Sequence, residues 1–142
     1  MVSFTFYKVF DFKNDKVVTN DKDKVSLDES NVVTKESINL SDYNTDITIT
    51  KTGIYTLTGS FSHSVIIDAE NENINLVLDD VTIKNEKTAT IIGLNAESIT
   101  ITLKENTINT LSDGGNSEYD GCIYSNSKLI FNGSGRLIIN GN

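Results

Sequence analysis

A chain of 142 residues, 37% hydrophobic and 8% aromatic, suits one domain with a thin, aliphatic core. Its formal charge of −8 opposes nucleic acid and anionic lipid, and it favours metal cations or neutral and cation-bridged ligands. A single cysteine excludes an intramolecular disulfide framework and a cysteine-based zinc cluster. The absence of proline argues against flexible linkers, and no apolar run is long enough to span a membrane.

The first ten residues, MVSFTFYKVF, alternate aromatic and polar side chains without the basic and long apolar regions of a signal peptide. They predict a strand at 4–10 that caps the N-terminal end of the fold. Residues 1–45 as a whole form a polar lead-in with short extended pieces such as 24–27. From Asp46 the character changes. Apolar residues alternate with Thr, Ser or Asn in short runs at 47–50, 54–58, 65–67, 74–78, 81–83, 99–103, 128–131 and 137–139. Alternation in β-branched residues is the signature of strands, and no window of useful length carries helical spacing.

The runs repeat. INLVLDDVTIKN at 74–85 superposes on ITITLKENTINT at 99–110, with Leu78 on Leu103. An earlier copy places Leu57 on Leu78, and a later one places Phe131 on Leu103. Each copy is an apolar strand, a short polar turn and a second strand. The turns are Thr58-Gly59-Ser60, Asp79-Asp80, Lys104-Glu105-Asn106 and Asn132-Gly133-Ser134-Gly135. Repeats of roughly 20–30 residues made of strands and turns predict an all-β fold, a right-handed single-stranded parallel β-helix over 46–142. A β-sandwich explains the alternation equally well but not the register of the copies. Ile74, Leu76, Leu78, Val81 and Ile83 are expected to point inward, with Ile99, Ile101, Leu103 and Ile108 stacked on them. Asn75, Thr82, Thr100 and Thr102 are expected to face solvent. The last apolar strand is followed only by Asn140, Gly141 and Asn142. This predicts a helix incomplete at its C-terminal end, with self-association through the last rung or continuation into further rungs.

Four stretches, GIYTLTGS at 53–60, LVLDDVTI at 76–83, NTLSDG at 109–114 and LIFNGSGRL at 129–137, resemble a family of secreted bacterial carbohydrate-binding β-helix proteins. Characterised members of that family bind acidic plant polysaccharide and carry calcium. The resemblance covers about residues 46–142. It implies a secreted or cell-surface protein that binds pectate-like polysaccharide. It departs from the family at 125–128, where Ser-Asn-Ser-Lys stands in place of an acidic pair.

The residues themselves offer two oxygen-rich groups for calcium, a hard cation that takes six to eight oxygen ligands. Asp113, Asn116, Glu118 and Asp120 lie in a glycine-rich loop, and Asp79, Asp80 and Glu105 fall one rung apart in the repeat alignment. The alternatives are a solvated turn for the first group, and Lys104 relieving the repulsion in the second. Tyr119 offers a flat face for a sugar ring, and Arg136, the only arginine, a cation for an acidic one. Cys122 reads as a small buried hydrophobe. His63, in the polar turn Ser62-His63-Ser64, reads as a turn residue rather than a catalytic one. The function expected is non-catalytic, calcium-assisted binding of acidic polysaccharide. The alternatives are a fragment of a β-helix polysaccharide lyase or hydrolase, for which Arg136 would be the one supporting residue, and a structural or adhesin repeat module of a surface protein.

Overall fold

The computed structural model describes residues 33–115, 118–119 and 121–141. The strands expected at 4–10 and 24–27 lie outside these residues. The described chain is all-β, with one short 3-10 turn at Leu40–Asp42. Eleven strands follow in order: β1 Thr34–Asn39, β2 Ile47–Ile49, β3 Gly53–Phe61, β4 Val65–Asp68, β5 Asn73–Asn85, β6 Ile91–Asn95, β7 Ser98–Leu103, β8 Ile108–Asp113, β9 Ile123–Ser125, β10 Lys128–Gly133 and β11 Arg136–Asn140.

Every strand pair is parallel. The first sheet orders β1-β3-β5-β7-β10, with β8 and β11 continuing the far half of β5. The second orders β2-β4-β6-β9. The chain therefore visits the sheets in turn, and each visit lands beside the previous one. Like residues stack as a result: Tyr55 on Leu76 on Ile101, and Leu57 on Leu78 on Leu103. The core lies between the sheets and is almost wholly aliphatic. Its one buried tyrosine, Tyr55, donates its hydroxyl to the Lys51 carbonyl at 2.7 Å. Ile74, Leu76, Leu78, Val81 and Ile83 are all buried, as alternation requires.

The bends between the two halves of each long layer need a left-handed residue, and each of the four turns in the sequence supplies one. Gly59 has φ +88°, Asp80 +59°, Asn106 +64° and Gly133 +90°. Glycine, Asn and Asp are the residues that tolerate this region.

Three sequence expectations change. The first sheet reaches back to Thr34, inside the segment read as lead-in. Only Ile38 among the inward positions of β1 is strongly apolar, so the pattern there is faint. The alignment of 74–85 on 99–110 holds only as far as Leu103. Beyond it Thr82 pairs with Thr110 and Ile83 with Leu111, because the turn after β7 is three residues longer. An odd insertion reverses the in–out sense. Ile108 is therefore 53% exposed and Asn109 fully buried. Finally, Phe131 stacks on Ile101, and Gly133 takes the place above Leu103.

Candidate functional site

Two surfaces gather chemistry, and both involve the second sheet. The first is its outer face. In β6, Ile91 and Gly93 face the core, since a Cβ on Gly93 would stand 2.5 Å from the Ile99 side chain, so Ile92 lies on the other side of the sheet, where it too is covered and only 4% exposed. Ladder register then builds one outward column: Thr48, Ile66, Ile92 and Tyr124. Tyr119, from the preceding loop, packs its ring against Tyr124 with centroids 4.7 Å apart and planes at 45°. A polar margin borders the column at the ends of β4, β6 and β9. Asn95 donates to the Asp68 carboxylate at 2.8 Å. Tyr124 donates its hydroxyl to the Asn126 carboxamide at 2.7 Å, and Asn126 donates in turn to the Leu94 carbonyl at 3.3 Å. Two half-buried aromatic rings and Ile66, edged by carboxamides and a carboxylate, offer a patch that suits a sugar ring. Its C–H face is apolar and its rim is hydroxyls.

The second surface is a cleft of about 500 Å³ at the corner where β3 and β5 turn toward the second sheet. Asp46, Ser62, His63, Lys84, Asn85, Glu86, Lys87 and Thr88 line it. Its floor is a buried hydrogen-bond chain. The Ser64 amide donates to Asp46 Oδ1 at 2.9 Å, and the Ser64 hydroxyl donates to the Ala89 carbonyl at 2.6 Å. Asn85 donates its carboxamide N–H to the Ser64 hydroxyl at 2.9 Å, and its Oδ1 accepts the Lys87 and Thr88 amides. Fully engaged buried polar groups of this kind hold a corner rigid. His63 stands edge-on to Phe61, ring centroids 5.5 Å apart. The loop after β8 rests on the same corner. A Cβ on Gly114 would overlap the Glu86 carbonyl, so only glycine fits there.

The residues singled out from sequence take the following places. Asp113 is 8% exposed and pairs in register with Asn85, so it points inward at the end of β8, whereas Glu118 is exposed. Asn116 and Asp120 lie outside the described residues. Asp79 accepts from Lys104 at 2.8 Å, which holds the lysine ammonium above its ordinary pKa range. Asp80 caps the Ile108 amide at 2.8 Å from its left-handed position, and Glu105 is exposed in the next turn. Lysine and backbone thus meet the two aspartates. Among the described residues no three acidic, histidine or cysteine side chains approach as metal ligands would. Arg136 is exposed on β11, in register with Ile108 on the first sheet. Cys122 is buried in the core, and burial pushes its thiol above the usual range, so it is a poor nucleophile.

The sequence points to Tyr119 but presents Tyr124 as an ordinary strand residue. It does not single out the cleft residues Asp46, Lys84, Asn85, Glu86 and Lys87. Stacking the turns at 62–64 and 86–90 in the repeat alignment is the signal that would have brought them together.

No curated protein and no solved structure matches the chain. A family model described as carbohydrate-binding domain-containing protein matches residues 43–142, which contain both surfaces. The chain belongs to that carbohydrate-binding domain-containing family, and binding of carbohydrate without catalysis is the function this membership supports.

Proposed function

We propose that the chain is a non-catalytic module that binds an acidic, pectate-like polysaccharide along the outer face of the second sheet. The observation that carries the reading is the Tyr119–Tyr124 ring pair beside Ile92 on an otherwise β-branched face. Sugar rings would lie on the tyrosines and the half-buried Ile66, with hydroxyls meeting Asp68, Asn95 and Asn126. We also read the alternating parallel sheets as turns of a right-handed parallel β-helix, the hand that parallel crossover connections take almost without exception. Such a coil extends a binding face in steps of one strand spacing, which suits a polymer better than a single sugar. Calcium is proposed as an aid, with the 113–120 loop and uronate carboxylates sharing its oxygen shell. A bridging cation would also offset the repulsion between a chain of charge −8 and a polyanion. A secreted or surface location fits a polysaccharide partner.

The test is a pull-down on insoluble polygalacturonate, with and without chelator, comparing the parent chain with Tyr124→Ala. Retention of the parent and loss by Tyr124→Ala support the reading, and release by chelator supports the calcium component. Product release would point to an enzyme instead. Equal retention of both chains would remove the tyrosine face from consideration.

A further inference from the structure

The corner cleft differs from the rest of this acidic surface. Its two carboxylates are already engaged, Asp46 by the Ser64 amide and Glu86 by Lys84 at 3.3 Å. The Lys84–Glu86 pair is largely exposed, so it is a weak tie that leaves Lys84 mobile. Among the described residues Lys87 has no carboxylate partner, although its backbone is pinned through Asn85. The His63 ring packs edge-on to Phe61 and lines the same cleft. Lys87, the loosely paired Lys84 and His63 therefore line a cleft with a rigid, hydrogen-bonded floor. In a chain of charge −8, Lys84 and Lys87 balance Asp46 and Glu86 here, so the cleft opposes a negative group less than the acidic surface around it does. Its volume of about 500 Å³ lies within the range of pockets that hold one or two sugar rings.

We propose that this cleft is an anion subsite that takes the negatively charged substituent of a glycan unit directly. Lys87 is the counter-ion, His63 is a ring donor, and no metal bridges the two. The inference rests on the reading of the chain as a polysaccharide binder, but it assigns the recognition of charge to different residues from the recognition of the ring face. Two substituents share the needed chemistry, a uronate carboxylate and a sulfate ester. Tyr119 and Tyr124 would then take sugar rings irrespective of charge, and the cleft would select for the acidic ones.

His63 is the only histidine, so its imidazole resonances report on the cleft without assignment ambiguity. The full chain, with chelator present throughout, is titrated by calorimetry and by NMR of the His63 ring. The probes are trigalacturonate, a sulfated oligosaccharide and a neutral oligosaccharide of equal length. The expected result is tighter binding of one charged probe than of the neutral one, with the His63 signals shifting only for that probe. Whichever charged probe binds identifies the substituent. Lys87→Gln should weaken that probe about tenfold and leave the neutral one unchanged, the loss expected for one charge-assisted contact. Lys87→Arg should restore most of it. Tyr124→Ala should weaken all probes alike. The subsite is overturned if Lys87→Gln binds charged probes as the parent does, or if His63 is silent while they bind; the polysaccharide reading survives both results. If the parent binds no charged probe under chelator but binds once calcium is restored, the subsite falls and the calcium-assisted reading survives; if it binds no glycan under either condition, both proposals fall together.

Discussion

At the residue scale, burial rather than residue type decides consequence. Leu78 is fully buried between Leu57 and Leu103, so Leu78→Ala should cost about 2–5 kcal/mol in chemical unfolding. Leu103 occupies the equivalent place, but Gly133 lies above it and leaves it half-covered, so Leu103→Ala should cost clearly less. Thr100→Ala, on the outward side, should cost under about 1 kcal/mol. Equal losses at all three would contradict the observed stacking. Glu36 is a different case. It sits at the inward position of β1 in register with Tyr55, and one carboxylate oxygen is buried without a hydrogen-bond partner. Desolvation raises its pKa to about 7 from an ordinary 4.5. In that interval the folded state holds a proton that the unfolded state has released, so stability should fall as pH rises from about 4.5 to 7 and then level off. Glu36→Gln should flatten this dependence in melting experiments across that range. An unchanged slope would show that Glu36 is not its source.

At the element scale, turn length governs the register. The turn between β7 and β8 holds three more residues than the matching bend in β5, and this places Asn109 where an aliphatic residue would otherwise sit. The protein accommodates the amide by using both ends of it. Asn109 Oδ1 accepts the Val81 amide at 2.9 Å, while its N–H groups donate to the Thr107 hydroxyl and the Arg136 carbonyl. Asn109 thereby ties β5, β8 and β11 together at the point where the first sheet divides. Asn109→Ala should destabilise by about 1–3 kcal/mol, because it strands the Val81 amide in the interior. Asn109→Leu should do no better despite its apolar character, and urea midpoints of the two variants measure this directly.

At the scale of the whole molecule, the two ends of the stack differ from its middle. Leu129, Phe131, Leu137 and Ile139 continue the inward columns, yet Phe131 is 51% exposed and Ile139 49%. On β9, β10 and β11 one edge of each strand carries no ladder partner among the described residues. Unpaired edges beside exposed core positions favour pairing with another chain. The 142-residue chain should therefore self-associate as concentration rises, and Ile139→Lys should reduce that in sedimentation experiments. Ile138→Lys should act less, because Ile138 lies on the outward face in register with Thr110. A parent chain that stays monomeric at high micromolar concentration would show that this edge is not used.

The strands β2 to β5, β7, β10 and β11, the inward face of β5 and the four bends were legible in the residues alone, because alternation and turn composition are local properties, whereas β1, β6 and β9 were not read as strands. The stacking of Leu57, Leu78 and Leu103 was legible because the repeats are nearly the same length there. Tertiary structure decided the rest. The sense of Ile108 and Asn109 turned on the length of one turn, and the exposure of Leu103 on the glycine that stacks above it. The repeat alignment already offered Lys104 as the partner of the Asp79-Asp80 pair, but the Ile108 amide that Asp80 caps belongs to the longer turn and was not legible. Tyr124 came to lie beside Ile92, and Lys87 and His63 came to line one cleft, only because parallel stacking brings together segments far apart in the chain. No local pattern encodes such meetings, since they depend on the register of every intervening strand.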